Sequence, residues 1–212
     1  MPRNGWLVLT ALAVVVPVVG QDSGSLERGE SEFGGWAGTS FANPTLIGTT
    51  TNRRFVSVGL RYGFVFGVKS DVAFEYTLDV VPAAILIQPP GTQLVEETGN
   101  RRYAGQGRSA VYGAGVSPIG FKFNFARRRK WQPFFAATAG FVYSAQPIPI
   151  PVPDATQFNF TFDFGGGVQV FTAGGKAVTV GYKFDHISNA FRTAVNPGVD
   201  MNMLYVGFSV FR

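Results

Sequence analysis

The chain has 212 residues, which is enough for one domain of ordinary size. Aromatic residues make up 15% of the chain and charged residues only 15%, a balance that suits a surface facing lipid better than one facing water. The absence of cysteine excludes disulfides, thiolate catalysis and cysteine-based zinc sites, and a single histidine leaves little for a metal cluster. We therefore predict no metal and no cofactor.

The formal charge of +5 is compatible with either nucleic acid or an anionic membrane surface as partner. Lysine and arginine are scattered between aromatic segments, and the only dense basic run is residues 127–130. Charge alone does not choose between the two partners. The strand pattern described below favours the membrane, and we predict no nucleic-acid partner.

The N-terminus has the three parts of an export signal. Arg3 is followed by an apolar run over residues 6–19 and by small residues at 18–20, and polar residues begin at Gln21. The apolar run is short for a membrane-spanning helix. We predict a signal peptide over residues 1–20 and a single β-barrel domain over 21–212, with an N-terminal anchor helix as the alternative.

The remaining sequence alternates with a period of two, the repeat of a β-strand with two different faces. In residues 157–164 every second residue is phenylalanine and the others are polar. Elsewhere the bulky apolar face stands opposite a face that carries Arg61, Glu75 and Lys122. Bulky apolar residues outside and polar residues inside are typical of a transmembrane barrel, whereas a soluble lipocalin-like carrier would show the reverse.

Taken in chain order, the alternating segments are 31–41, 53–66, 71–80, 110–125, 131–143, 157–171, 177–186 and 201–211. Short turns alternate with longer loops at 43–52, 81–109, 144–156 and 187–200. The prediction is therefore an all-β fold, an eight-stranded antiparallel transmembrane β-barrel of the outer-membrane type that follows a cleaved signal peptide. A barrel of this size is filled by its own side chains, so the inward charged residues are predicted to pair with one another.

The last hairpin contains the residues with catalytic potential. His186 and Asp200 continue the lipid-facing phase of the last two strands, and Ser188 continues the phase of His186. Three such groups could form a serine nucleophile, a general base and an orienting acid. Asn189 and Asn196 could stabilise an oxyanion through their amides. The alternative is that these polar residues simply lie at the lipid headgroup boundary.

This hairpin resembles the outer-membrane lipid A 3-O-deacylase (PagL-like) family. The resemblance rests on His186, Ser188, Asn189, Ala190, Asn196, Gly198 and Asp200 in this order and spacing. It implies an eight-stranded barrel in the bacterial outer membrane that hydrolyses an ester-linked acyl chain of lipid A. It further implies that His186, Ser188 and Asp200 are the triad and that Asn196 stabilises the oxyanion.

Two residues depart from the family pattern. Asp200 stands where the best-known pattern has glutamate, and Phe191 stands where that pattern has glycine. On the deacylase hypothesis, lipopolysaccharide of the outer leaflet is the partner. Acyl chains would then lie on Phe184 and Phe208, and Arg192 could bind a lipid A phosphate.

The rival hypothesis is a non-catalytic small barrel for adhesion or envelope integrity. It predicts that Ser188, His186 and Asp200 can be replaced without biochemical consequence. The sequence leaves the oligomeric state open.

Overall fold

The computed structural model describes residues 24–97 and 101–212, so the predicted signal peptide lies outside the described residues. Within them, eight strands close into an antiparallel barrel and two further strands form a separate hairpin. The barrel strands are β1 (Ser31–Ala42), β2 (Arg54–Lys69), β3 (Val72–Ile87), β6 (Ala110–Phe125), β7 (Trp131–Ser144), β8 (Phe158–Thr172), β9 (Lys176–Ser188) and β10 (Val199–Phe211). The hairpin strands are β4 (Gly91–Glu97) and β5 (Arg101–Gly107). The predicted eight-stranded barrel is confirmed.

Strands that are consecutive in the chain are neighbours in the barrel, and β1 pairs with β10 to close it. The one insertion is the β4–β5 hairpin, which lies between the paired strands β3 and β6. Among the described residues, no helix is long and apolar enough to span a membrane.

The prediction for residues 81–109 was wrong, because this segment was expected to be a loop. Strand β3 instead continues to Ile87, and the β4–β5 hairpin follows. Proline cannot donate to a sheet ladder, so Pro82 would be unfavourable within a regular strand. In the structure the register with β6 shifts between Val81 and Ala84, so Pro82 lies in a β-bulge where the ladder is already interrupted.

The wall of the barrel has the predicted apolar outside and polar inside. On β2 the side chains of Val56, Val58 and Leu60 are exposed, whereas that of Ser57 is buried. The same alternation continues on β9, where Val178 and Val180 are exposed. A closed barrel pairs the backbone groups of each strand, which a lipid environment requires because it offers no hydrogen-bond partners.

The lumen is filled by paired charges, as predicted. Lys122 Nζ lies 2.8 Å from Glu32 Oε2 and 2.9 Å from Glu75 Oε2, and all three side chains are buried. Arg61 donates two hydrogen bonds to the Asp79 carboxylate, at 2.8 and 2.7 Å. Charges taken out of water are tolerated only when they are paired in this way.

The end of the barrel with the short turns is closed by the segment before β1. Leu26 is completely buried there and packs with Phe171 and Phe211. Arg127 holds this segment by donating hydrogen bonds to the Leu26 carbonyl oxygen at 2.9 Å and to Glu27 Oε1 at 2.8 Å. Arg127, the first residue of the dense basic run, is therefore a structural residue at this mouth.

The long loops gather at the opposite end, which in such barrels faces outside the cell. The proline-rich loop after β7 folds inward, so that Ile148 and Ile150 are buried. Arg53 joins this loop to the one that follows β1, because its guanidinium lies 3.5 Å from the Pro149 carbonyl oxygen. The outer mouth is therefore a packed surface on which residues far apart in sequence meet.

Candidate active site

A histidine–carboxylate pair lies on the outer face of the barrel at this long-loop end. His186 on β9 and Asp200 on β10 are directly opposite each other in the ladder, and both are in phase with outward residues such as Tyr182 and Leu204. His186 Nδ1 lies 2.6 Å from Asp200 Oδ1. When Nδ1 donates to the carboxylate, Nε2 is left as the acceptor that a general base requires.

The loop between β1 and β2 covers the second oxygen of this carboxylate. The backbone N–H groups of Leu46, Ile47 and Gly48 donate to Asp200 Oδ2 at 2.8, 2.6 and 3.0 Å. The side chain of Asn43 donates to the Asp200 carbonyl oxygen at 2.5 Å. Asp200 is consequently completely buried although it belongs to the lipid-facing phase of β10.

Two glycines allow this loop to approach the hairpin formed by β9 and β10. A Cβ atom on Gly48 would lie 2.7 Å from the backbone carbon of Gly198. A Cβ atom on Gly198 would lie 3.0 Å from His186 Cε1, and Gly198 has a left-handed φ of +64°. Any larger residue at position 48 would therefore separate the loop from the hairpin.

Ser188 is the last residue of β9 and is half-buried. It lies opposite Phe160 of β8 and two residues from His186, on the same face of the strand. Same-face neighbours on a strand have Cα atoms about 6.6 Å apart, which places hydroxyl and imidazole near one another. Over the part of the chain that the structure describes, the Ser188 hydroxyl forms no hydrogen bond, so the Ser188–His186 contact is not made here.

Asn189 and Asn196 shape the turn that follows. The Asn189 side-chain amide donates to Thr193 Oγ1 at 2.6 Å and to the Val195 carbonyl oxygen at 2.7 Å. Both amide hydrogens are therefore engaged within the turn, and this side chain is not a free oxyanion donor. Asn196 Oδ1 accepts a hydrogen bond from the Asn189 backbone N–H at 2.8 Å.

The same turn places two residues with side chains in a backbone conformation that favours glycine. Ala190 and Phe191 have φ values of 52° and 59°, the left-handed region that glycine adopts most easily. Phe191 therefore holds a backbone conformation that costs a residue with a side chain about 1 kcal/mol. Its ring is 77% exposed at the outer rim.

The three predicted substrate contacts lie at different distances from Ser188. The Arg192 guanidinium stacks over the rings of Phe158 and Phe160, at 5.3 and 5.9 Å from their centres, which places it beside the strand that faces Ser188. Phe184 is in the outward phase but is only 3% exposed, with its ring against Phe164.

Phe208 is 48% exposed but lies eight residues along β10 from Asp200, about 26 Å at the rise of a strand. It therefore faces lipid near the other end of the barrel. The aromatic residues directly opposite Ser188 and His186 are Phe160 and Phe162, and both are exposed. Sequence reasoning missed this pair, although the alternating phenylalanines of β8 were the clearest strand signal in the chain.

In the described ranges, no group of three or more histidine and acidic side chains is arranged to hold a metal ion. The site brings together the His186–Asp200 pair and, two residues along the same face of β9, the Ser188 hydroxyl.

The fold and the outward His186–Asp200 pair define an outer-membrane β-barrel with a hydrolase-like site at its outer rim. The chain belongs to the lipid A 3-O-deacylase (PagL) family, whose model matches residues 68–209. It is therefore an ester hydrolase of the bacterial outer membrane. None of the curated proteins matches it significantly.

Solved structures agree on the fold. The chain is similar to the outer-membrane enzyme PagL with a TM-score of 0.50 at 16% identity, covering 83% of this chain and 97% of that one. Neisserial surface protein A (NspA) gives a TM-score of 0.50 at 13% identity, covering 85% of this chain and 96% of that one. OprG from Pseudomonas aeruginosa gives 0.50 at 11% identity, covering 90% and 99%. Since only one of the three is named as an enzyme, these likenesses establish the barrel and not the chemistry.

Proposed function

We propose that Ser188, His186 and Asp200 form a catalytic triad that hydrolyses the acyl ester at the 3-position of lipid A in the outer leaflet. The observation that carries this proposal is the 2.6 Å contact between His186 Nδ1 and Asp200 Oδ1 on the outer wall. A polar pair on a lipid-facing surface is costly, and catalysis on a lipid substrate accounts for it.

The reaction has two steps. Ser188 Oγ attacks the ester carbonyl while His186 Nε2 takes its proton, and the resulting acyl–serine forms as the sugar oxygen leaves with that proton. Water then attacks the acyl–serine, again giving a proton to His186, and the fatty acid leaves with Ser188 regenerated. Asp200 stabilises the imidazolium in both steps, and no cofactor is required.

Ser188 must rotate towards His186 for this chemistry. Catalytic hydrogen bonds are often long or absent without substrate and tighten in the complex, so the open contact is compatible with the role. Ser188 and Asn196 line the same narrow cleft beneath Pro149. Asn196 is the proposed oxyanion donor, because its contact with the Asn189 N–H fixes the direction of its amide.

The substrate enters sideways from the bilayer. The acyl chain lies along the exposed rings of Phe160 and Phe162, which flank Ser188 and His186 on β8. Arg192, held over Phe160, faces the headgroup side of the ester. This arrangement replaces the predicted acyl contacts at Phe184 and Phe208 with residues beside the nucleophile.

Mass spectrometry of lipid A from Gram-negative cells expressing the chain tests this proposal. The intact protein is expected to remove one ester-linked acyl chain, and Ser188→Ala and His186→Ala are expected to remove none. Ser109→Ala is a matched control, because Ser109 is exposed in the connection that precedes β6, away from the proposed triad. Unchanged lipid A with the intact protein present in the outer membrane would overturn the proposal and favour a non-catalytic barrel.

A further inference from the structure

A polar groove lies on the outer rim, and the β1–β2 loop separates it from His186. This outer-rim groove has a volume of about 500 Å³ and opens outward. Its lining is Phe41, Ala42, Asn43, Thr51, Asn52, Arg53, Arg54, Ile87, Gln88 and Pro89. The outer ends of β1, β2 and β3 therefore form its walls.

The groove is positively charged. Arg54 is exposed in it and, among the residues that the structure describes, forms no ion pair. Arg53 lies beside it, and burial lowers the pKa of Arg53 to about 10, which leaves the guanidinium charged at neutral pH. None of the described residues that line the groove is acidic.

A buried amide in the groove has no partner. Gln88 is only 4% exposed, and both its Oε1 and its Nε2 are without a hydrogen bond. Leaving a buried amide unpaired is unfavourable, and native structures rarely do so without a reason. If its side chain turns toward the groove, a ligand that both donates and accepts hydrogen bonds, as a sugar hydroxyl does, would satisfy Gln88.

Hydrogen bonds of Asn43 connect the groove to the proposed active site. Asn43 lines it and donates to the Asp200 carbonyl oxygen, while Asn43 Oδ1 accepts from the Arg53 N–H at 2.8 Å. Ser188 is on β9 and Arg54 is on β2. These two strands are three strand spacings apart around the barrel wall. That separation is about 14 Å across the strands.

The polarity of the groove is that of the membrane boundary. The exposed side chains of Phe41 and Ile87 line it together with the two arginines and the amides at the outer ends of the strands. Apolar side chains beside cationic and amide groups match an amphipathic ligand, a charged headgroup with acyl chains attached. Arg53, Arg54, Asn43 and Asn52 precede the segment 68–209 that matches the family, so that match assigns no role to them.

We propose that the outer-rim groove binds the phosphorylated glucosamine headgroup of lipid A, with Arg54 contacting the phosphate and Gln88 a sugar hydroxyl. This inference rests on the proposed deacylase function and supplies its headgroup subsite. Arginine binds phosphate through paired, charge-assisted hydrogen bonds, which an ammonium or an amide does not reproduce.

Binding and turnover are measured separately to test it. Full-length Ser188→Ala protein in detergent micelles is titrated with phosphorylated lipid A, dephosphorylated lipid A and inorganic phosphate. We expect tighter binding of the phosphorylated lipid, weakened about tenfold by Arg54→Gln. Gln88→Leu is expected to weaken both lipids, and Arg128→Gln, an exposed arginine in the turn at the opposite end, is expected to change neither.

Turnover of a water-soluble p-nitrophenyl acyl ester separates this subsite from the triad. Arg54→Gln in the otherwise intact enzyme is expected to leave that turnover unchanged while lowering kcat/KM for phosphorylated lipid A. Loss of all turnover in the intact protein, with Arg54-dependent lipid binding retained, would overturn the deacylase proposal alone. Two results would overturn the headgroup subsite. One is equal affinity for phosphorylated and dephosphorylated lipid A. The other is that inorganic phosphate saturates the groove without affecting the binding of the lipid.

Discussion

Asp200 holds His186 with one carboxylate oxygen and is itself held by the β1–β2 loop with the other. Oδ1 lies 2.6 Å from His186 Nδ1, and Oδ2 accepts three backbone N–H groups from Leu46, Ile47 and Gly48. The loop therefore fixes the position of the acid, and the acid fixes the imidazole. Because both of its oxygens are bound, this carboxylate has little freedom to move.

Lengthening this acid is expected to reduce activity, although the family pattern has glutamate here. Asp200 is completely buried, so the extra methylene of Asp200→Glu would displace either the loop or the imidazole, at a cost of about 1–3 kcal/mol. We expect kcat for lipid A to fall about tenfold or more.

Asp200→Asn is the matched isosteric variant. It keeps the shape but removes the charge, and kcat is expected to fall about 100-fold or more because the imidazolium loses its partner. Steady-state kinetics on purified variants measures both effects. Full activity of Asp200→Asn would mean that this carboxylate does not assist the base.

The β1–β2 loop is expected to contribute to catalysis without touching the substrate ester. Gly48→Ala would place a methyl group 2.7 Å from the Gly198 backbone, so the loop must move and its donors leave Asp200. We expect kcat to fall about tenfold while the barrel stays folded, because hydrogen bonds to a charged group contribute about 1.5–3 kcal/mol.

Gly67→Ala is the control for this change. A Cβ atom at Gly67 would meet only Phe74, at 4.0 Å, so both activity and folding are expected to persist. Folding is followed by the heat-dependent mobility of the barrel on gels. Wild-type kcat in Gly48→Ala would show that the loop has no part in positioning the acid.

The luminal lysine is expected to be essential for stability and not for chemistry. Lys122→Met leaves Glu32 and Glu75 buried together without their cation, which costs about 3–5 kcal/mol. Urea unfolding in micelles measures this loss. Lys69→Met, at the exposed end of β2, is the control and is expected to change the unfolding midpoint little. Equal midpoints for the two variants would contradict the pairing described for the lumen.

The segment before β1 is expected to loosen in acid. A hydrogen bond from Arg127 lowers the pKa of Glu27 below its ordinary value of 4.5. A lowered pKa in the folded state means that the stabilisation is present above pH 4.5 and is lost as the pH falls through the lowered value. Hydrogen exchange of residues 24–30, corrected for intrinsic rates, should accelerate as the pH is lowered from 4.5 through the lowered pKa of Glu27. In the Glu27→Gln variant, these residues should exchange at neutral pH as fast as those of the wild type do in acid. If the variant keeps the pH profile of the wild type, the Arg127–Glu27 contact is not the cause of the acid effect.

The barrel could be predicted from the sequence because strand periodicity is local. Alternating phenylalanines on β8 identify the lipid-facing side, and an intact phase places His186 and Asp200 on the same side of adjacent strands. The contact between Gly48 and Asp200 could not be predicted in this way. It joins residues 152 positions apart through a backbone N–H, which leaves no mark in side-chain periodicity.

The turn shows where residue type alone is misleading. Asn189 has the amide that an oxyanion site needs, but its donors are used by Thr193 and Val195. Phe191 departs from glycine in the family pattern and still adopts a left-handed φ of 59°. The φ values of the turn therefore cannot be deduced from residue type alone.

Covalent labelling of Ser188 tests the central claim most directly. The purified, full-length protein in micelles is treated with a fluorophosphonate, which reacts with an activated serine, and the modified residue is located by peptide mass spectrometry. The account predicts labelling at Ser188 and a rate at least about 100-fold lower in His186→Ala, because the general base is lost. Absence of label on Ser188, or the same rate in His186→Ala, would contradict a serine activated by the outward-facing histidine.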